Sequence, residues 1–144
     1  MRFPALVVVV LAAAVSGVAH ASADARPTLT VRSSSYGAIL FDGRGRALYA
    51  FTRDRRGGPS RCYGACAGAW PVYFASGRPV AGKGVKKSLI GATRRRDGRR
   101  QITYNGRPLY YYVGDTRAGQ VTCQNVPEYG GTWLVMRPNG VLVR

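Results

Sequence analysis

Two stretches of seven residues, LYAFTRD at 48–54 and LYYYVGD at 109–115, repeat the pattern Leu-Tyr-x-aromatic-x-x-Asp. The offset of 61 residues that aligns them also aligns a cysteine in each copy, Cys62 and Cys123, without a gap. A match of this length predicts two copies of one supersecondary unit packed against each other. We place the two repeats at about residues 28–80 and 89–144.

The repeat motif has four positions in each copy, and we expect all eight residues to be structural; the tryptophans align only if two residues are inserted. Side chains alternate along a strand, so the two aromatic residues of each copy point to one face. If the copies pack face to face, these pairs form a shared core near a pseudo-twofold axis. The aspartate after each strand can accept backbone N–H groups of the glycine-containing turn that follows. The motif residues are Tyr49, Phe51, Asp54 and Trp70 in the first copy and Tyr110, Tyr112, Asp115 and Trp133 in the second.

Two functional interpretations of these residues remain open. Symmetry could bring Asp54 and Asp115 together as an acid/base pair, or as oxygen ligands for a hard cation. The row Tyr110–Tyr112 beside Arg107 could stack on sugars or bases. Tyrosine-rich strands more often form a core and a sheet face, so the structural role is the main expectation.

The rest of the chain is predicted to be β-structure. Asn105-Gly106 lies between two apolar or aromatic runs and predicts a hairpin, because both central residues of such a turn take positive φ. Asp97-Gly98 lies one strand earlier, so residues 92–113 predict a three-stranded meander. Only residues 86–91 could form a helical turn. We therefore predict an all-β fold of about eight to ten short antiparallel strands, in which two pseudo-symmetric repeats form one sandwich or small barrel.

The N-terminus predicts export. Arg2 precedes an apolar run at 5–18 that is too short to span a bilayer, and Ala19-His20-Ala21 is an A-x-A cleavage signal. Residues 1–21 are therefore predicted to be a signal peptide and 22–144 a single all-β domain, with cleavage after Ala23 as the alternative. We expect a secreted or cell-envelope protein that is not transmembrane after cleavage.

The charge of the chain is strongly positive. It has 22 lysines and arginines against 6 acidic residues, a formal net charge of +16. Such a charge predicts attraction to anionic envelope polymers or lipid head groups, with solubility alone as the alternative role. No nucleic-acid-binding motif accompanies it, so no specific nucleic acid is predicted, and we expect a monomer. The candidate anion-binding residues are Arg94, Arg95, Arg96, Arg99 and Arg100.

Histidine is missing from the predicted mature chain, because the one histidine, His20, lies in the signal peptide. This excludes Ser-His and Cys-His nucleophile pairs and every histidine-containing metal site from the mature protein. Acidic residues are also scarce. We therefore expect a non-catalytic protein without a metal or cofactor.

Four motifs carry a resemblance to a known family: LYAFTRD, CYGACAGAWPV, ITYNGRPLYYYVGDT and GGTWLVM. In this order they resemble the bacterial secreted-repeat family of predicted lipoproteins, marked by Tyr-x4-Asp, over about residues 36–140. The resemblance implies an envelope protein and little about activity, because the role of that family is not established. Many members are lipid-anchored. This chain has no anchoring cysteine directly after its apolar run, so free secretion is expected.

The three cysteines allow one disulfide and one remaining thiol, and secretion favours the disulfide. The chain-entropy argument favours Cys62–Cys123 over the short loop Cys62–Cys66, although geometry must decide. The family resemblance implies Cys62–Cys66, with Cys123 free or an alternative partner. The alternative function is an extracellular thiol-redox or metal-binding protein that uses these cysteines. Zinc normally takes four ligands, and no histidine is present to complete a set of three thiols.

Overall fold

The computed structural model describes residues 28–144, and the predicted signal peptide lies outside them. Within these residues the structure has eight short strands and two single helical turns. The strands are β1 (Leu29–Ser34), β2 (Gly37–Asp42), β3 (Tyr49–Phe51), β4 (Ile90–Arg94), β5 (Arg100–Tyr104), β6 (Arg107–Tyr110), β7 (Val126–Glu128) and β8 (Gly131–Val135). The helical turns are α1 (Ala65–Ala69) and a 3₁₀ turn at Lys87–Leu89. The all-β prediction is confirmed.

The strands form two antiparallel sheets. One contains β1 and β2, and the other has the order β4-β5-β6-β3-β8-β7. The arrangement is sandwich-like, and the strands of residues 28–144 do not close into a barrel. Of the two architectures expected from the sequence, the sandwich is therefore the one observed.

The predicted meander is present as β4, β5 and β6. Its second turn has positive φ at both central residues, 49° at Asn105 and 73° at Gly106, which is the backbone that this dipeptide tolerates. The 3₁₀ turn falls within the one segment that the sequence marked as helical. The helix α1 was not predicted, because five residues of the composition ACAGA are too short to show a helical period.

The two copies meet at β3 and β6, where Tyr49 lies directly opposite Tyr110. These two residues are equivalent in the repeat, so a pseudo-twofold axis passes between them. Each copy has a tryptophan-led segment, residues 70–74 in the first copy and 132–136 in the second. Each tyrosine pairs with this segment of the other copy: Tyr49 with Val135, and Tyr110 with Val72. Because each copy completes the strand pairing of the other, the two halves are intertwined.

Aromatic side chains fill the core at this axis. Trp70 and Trp133 stack with their ring centroids 3.9 Å apart and their planes 2° from parallel. Tyr49 meets Trp70 edge-on at 5.2 Å, and Tyr110 meets Trp133 edge-on at 5.1 Å, so the packing repeats about the axis. All four side chains are fully buried. Burial of an aromatic side chain contributes about 2–3 kcal/mol, so this cluster stabilises the contact between the copies.

Candidate functional site

Two reciprocal hydrogen bonds cross between the copies. The Tyr49 hydroxyl donates to Asp115 Oδ2 at 2.6 Å, and the Tyr110 hydroxyl donates to Asp54 Oδ2 at 2.6 Å. All four residues are buried. The tyrosine of each Tyr-x4-Asp motif therefore binds the aspartate of the other motif, and this arrangement explains why both residues occur in both copies.

The second oxygen of each aspartate fixes its own loop. Asp54 Oδ1 accepts the backbone N–H of Arg61 at 2.7 Å. Asp115 Oδ1 accepts both the backbone N–H of Thr122 at 3.0 Å and its hydroxyl at 2.6 Å. Each carboxylate thus has both oxygens engaged inside the fold, which favours the structural role over an acid/base pair or a cation site. Among residues 28–144, no group of three or more His, Cys, Asp or Glu side chains is placed to hold a metal ion.

Burial changes the acidity of these groups. It raises the pKa of Tyr49 well above its ordinary value of about 10, and the hydrogen bond to Asp115 acts in the same direction. Burial and the charge of Asp54 do the same for the pKa of Tyr110. Burial also raises the pKa of Asp54, against the hydrogen bonds from Tyr110 and the Arg61 N–H and the charge of Arg95. Both tyrosines therefore remain protonated donors at neutral pH.

The disulfide of the structure joins Cys62 to Cys66, with Cα atoms 5.3 Å apart, which is the pairing implied by the family resemblance. Cys123 carries a buried free thiol. Burial raises the pKa of that thiol, and the hydrogen bond with Tyr112 opposes the shift. Since the thiolate is the reactive form, burial disfavours redox or nucleophilic chemistry at Cys123.

The predicted anion-binding arginines separate into three places. Arg95 is buried, and its guanidinium donates to Ser60 Oγ at 2.7 Å, Gln101 Oε1 at 2.9 Å and the Cys62 carbonyl at 2.7 Å. It therefore belongs to the core beside Asp54 and cannot lie on a binding surface. The other four predicted residues are exposed: Arg94, Arg96, Arg99 and Arg100.

Arg94 and Arg96 line a groove of about 340 Å³ together with Arg53 and Arg61. We call it the arginine groove; its remaining lining residues are Pro59, Ser60 and Tyr63, and none of the lining residues carries a carboxylate. The Arg96 guanidinium lies 3.7 Å from the centre of the Tyr63 ring. The Tyr63 hydroxyl also accepts the Arg96 backbone N–H at 3.2 Å. Tyr63 thus attaches the disulfide loop to the β4–β5 turn.

The sequence did not indicate Arg53, Arg61 or Tyr63 as part of this site. They come from the loop after β3 and from the disulfide loop, which the fold brings against the β4–β5 turn. Spacing along the chain carries no signal of that approach. The only available signal was the density of arginine in each segment separately.

Arg99 and Arg100 lie apart from the groove. They line a separate depression of about 460 Å³ with Phe74, Ala75 and Gly77. The Arg99 guanidinium lies 3.3 Å from the centre of the Phe74 ring. The structure therefore presents two basic surfaces on the β4–β5 hairpin rather than one continuous patch.

The fold consists of two intertwined antiparallel copies that are joined by reciprocal Tyr–Asp hydrogen bonds. This defines the class of the protein as a duplicated all-β repeat protein. The model of a family described as a secreted repeat of unknown function matches residues 30–73 and 91–137, one segment in each copy and together more than half of the chain. The chain belongs to this family. No curated protein and no solved structure matches it. Within residues 28–144, neither helical turn is long and apolar enough to cross a membrane.

Proposed function

We propose that this secreted-repeat protein is a non-catalytic component of the cell envelope that binds anionic surface material through the arginine groove. The observation that carries the proposal is the convergence of Arg53, Arg61, Arg94 and Arg96 on one concave surface without a lining carboxylate. Guanidinium groups are planar forks that match phosphate and carboxylate oxygens. A phosphate-bearing polymer or lipid head group is therefore the expected ligand.

The fold supports the groove from beneath. Arg96 packs on the Tyr63 ring, and Tyr63 lies within the loop closed by the disulfide. Ser60, at the floor, accepts from Arg95 and hydrogen-bonds with the Tyr110 hydroxyl at 2.6 Å. Since part of the groove is ordered by the same network that joins the copies, binding would require little additional ordering.

A non-catalytic role is supported by the positions of the reactive side chains. Asp54 and Asp115 use both carboxylate oxygens in structural hydrogen bonds. Two cysteines form the disulfide, and Cys123 is buried with a raised pKa. These groups are engaged or covered, whereas the groove arginines are exposed.

The test is cosedimentation of the purified protein with vesicles that contain phosphatidylglycerol, against vesicles of phosphatidylcholine alone. The variant changes Arg61, Arg94 and Arg96 to Gln. A basic residue near an anionic surface contributes about 1 kcal/mol, so the triple variant should bind on the order of a hundredfold more weakly. Binding of the unmodified chain should also collapse between about 50 and 500 mM salt.

The matched control changes Arg117, Arg137 and Arg144 to Gln, which removes the same charge from exposed positions outside the groove. It should retain most of the affinity. Equal weakening by the two triple variants would show that diffuse charge is sufficient and would refute the groove as the site. Binding that ignores salt, or no binding to the anionic vesicles, would leave the charge with a role in solubility only.

A further inference from the structure

A second concave site lies away from the arginine groove, and we propose that it binds a sugar ring. This aromatic cleft has a volume of about 300 Å³, and its aromatic lining residues are Tyr73, Phe74 and Tyr111. Its remaining lining residues are Thr28, Asp42, Gly43, Arg44 and Ser76. The Arg99 guanidinium covers one face of the Phe74 ring. Small-ligand sites combine aromatic side chains with polar groups, as this lining does, and this volume is at their lower end. The inference goes beyond the proposed function because a sugar ring needs no charge to bind here.

Asp42 holds Tyr111 in position. Asp42 Oδ2 accepts the Tyr111 hydroxyl at 2.9 Å, and Oδ1 accepts the backbone N–H groups of Arg44 at 2.9 Å and Arg46 at 2.8 Å. The Arg46 guanidinium lies 4.4 Å from the centre of the Tyr111 ring. Asp42 is itself buried, so it acts as a positioning residue that ties the ring to the β2–β3 turn.

Tyr73 forms the adjoining wall. Its hydroxyl donates to the Thr28 carbonyl, and its ring centre lies 5.2 Å from that of Tyr111 with the planes 58° apart. Both hydroxyls are thus bound to the protein. The two rings are half-buried and Arg46 covers one face of Tyr111, so a ligand would contact their remaining exposed surface. Aromatic faces are electron-rich and attract the C–H groups of a sugar ring.

The angle between the walls favours a sugar over a nucleobase. A flat base stacks best on one open face or between parallel rings, whereas a puckered pyranose ring has C–H faces and projecting hydroxyls that fit a corner. The hydroxyls would meet the rim, where the exposed Arg44 and Ser76 can donate or accept hydrogen bonds. The row Tyr110–Tyr112 therefore does not act as one stripe, because Tyr110 lies in the core and Tyr111 in this cleft.

In the experiment, the purified protein is titrated with three neutral trisaccharides, namely chitotriose, cellotriose and maltotriose. Two-dimensional NMR is recorded in about 0.5 M salt, where attraction at the arginine groove is screened. At least one saccharide should give saturable shifts of the Tyr73, Phe74 and Tyr111 rings at millimolar or lower concentration. Thymidine serves as the nucleobase probe.

Two variants and one control test the location. Ser76→Trp fills the cleft from an exposed rim position, and Phe74→Leu removes a wall without touching a hydroxyl hydrogen bond. Each should weaken saccharide binding roughly tenfold or more, with circular dichroism confirming the fold. Tyr129→Asn removes an exposed ring elsewhere at a φ of 54°, which asparagine tolerates, and should leave binding unchanged.

Three outcomes would overturn the inference. The first is no saturable shift with any of the three saccharides up to about 20 mM, which is weaker than a formed site would give. The second is a saccharide affinity that the Ser76→Trp variant leaves unchanged. The third is ring shifts with thymidine and none with the sugars. Failure of the vesicle experiment would leave this result unaffected, because the probes are uncharged and the variants lie outside the arginine groove.

Discussion

The two copies of the repeat are alike where they touch each other and different where they face solvent. At the axis, Tyr49 and Tyr110 exchange hydrogen bonds of equal length with Asp115 and Asp54. The loops that follow the aspartates differ. In the first copy the loop contains a disulfide and α1, and in the second the equivalent cysteine, Cys123, is a buried thiol followed by β7.

This difference shows that the duplicated fold uses one set of residues to join the copies and another set to form the exposed binding surface. The tyrosine, aspartate and tryptophan residues of the motif that are common to both copies are buried and join the halves. Arg61 and Tyr63, which line the arginine groove, come from the first loop and have no arginine or tyrosine at the aligned positions 122 and 124 of the second copy. A binding surface of this kind can change without disturbing the axis.

The largest expected effect is at the tryptophan stack. Trp70→Ala and Trp133→Ala should each lower the free energy of unfolding by about 3–5 kcal/mol, because both remove a fully buried ring from the contact between copies. Urea unfolding followed by circular dichroism measures this loss. A loss below about 1 kcal/mol for either variant would contradict a shared core.

Replacement by phenylalanine distinguishes the two tryptophans. Trp70 Nε1 donates to Glu128 Oε2 at 2.8 Å, whereas the buried Trp133 Nε1 has no partner among residues 28–144. Trp70→Phe should therefore cost about 1 kcal/mol more than Trp133→Phe, because only the former breaks a hydrogen bond. Equal costs would mean that the Glu128 contact contributes nothing.

The crossed hydrogen bonds give the next effect. Tyr49→Phe and Tyr110→Phe should each reduce the free energy of unfolding by about 1.5–3 kcal/mol, the range for hydrogen bonds to charged groups. Tyr110→Phe should cost more, because that hydroxyl also pairs with Ser60 Oγ at 2.6 Å. The double variant measures the coupling energy between the two hydrogen bonds. If the losses of the two single variants simply add, the two hydrogen bonds stabilise the fold independently of each other.

The disulfide is present in the first copy only and should have a smaller effect. Replacing Cys62 and Cys66 together with Ala should lower the free energy of unfolding by about 2 kcal/mol, the chain-entropy value for a loop this short. Cys123→Ala is the control, since it removes a buried cysteine without opening a loop. If the control costs as much as the double variant, the covalent link itself adds no stability.

Much of the fold follows from local signals in the sequence. Asn105-Gly106 identified a turn that needs two positive φ values, and the offset between LYAFTRD and LYYYVGD identified the duplication. The intertwining could not be predicted. The pairing of Tyr110 with Val72, and of Tyr49 with Val135, depends on which copy each tryptophan-led segment joins, and both choices bury the same side chains.

The candidate sites were harder to predict than the fold. The run of arginines at 94–96 gave two groove residues and one core residue, because alternation along the chain buries Arg95 between its exposed neighbours. The aspartates were expected to hold their own loops, and they do so. The hydrogen bonds that they accept from the tyrosines of the other copy depend on tertiary packing, which the spacing within one motif does not contain.

The smallest expected effect per residue is on stability at alkaline pH, and it tests whether the two tyrosines are equivalent. The pKa of Tyr49 and of Tyr110 is raised in the folded state, chiefly by burial, so each hydroxyl contributes stability below the unfolded pKa of about 10 and loses it as the pH rises above that value. Between pH 10 and 11 each tyrosine should remove about 1 kcal/mol from the free energy of unfolding. Urea unfolding at a series of pH values, with tyrosinate absorbance as a second signal, measures the slope. Tyr49→Phe and Tyr110→Phe should reduce that slope by equal amounts, and a reduction by only one of them would show that the axis is not symmetric in energy.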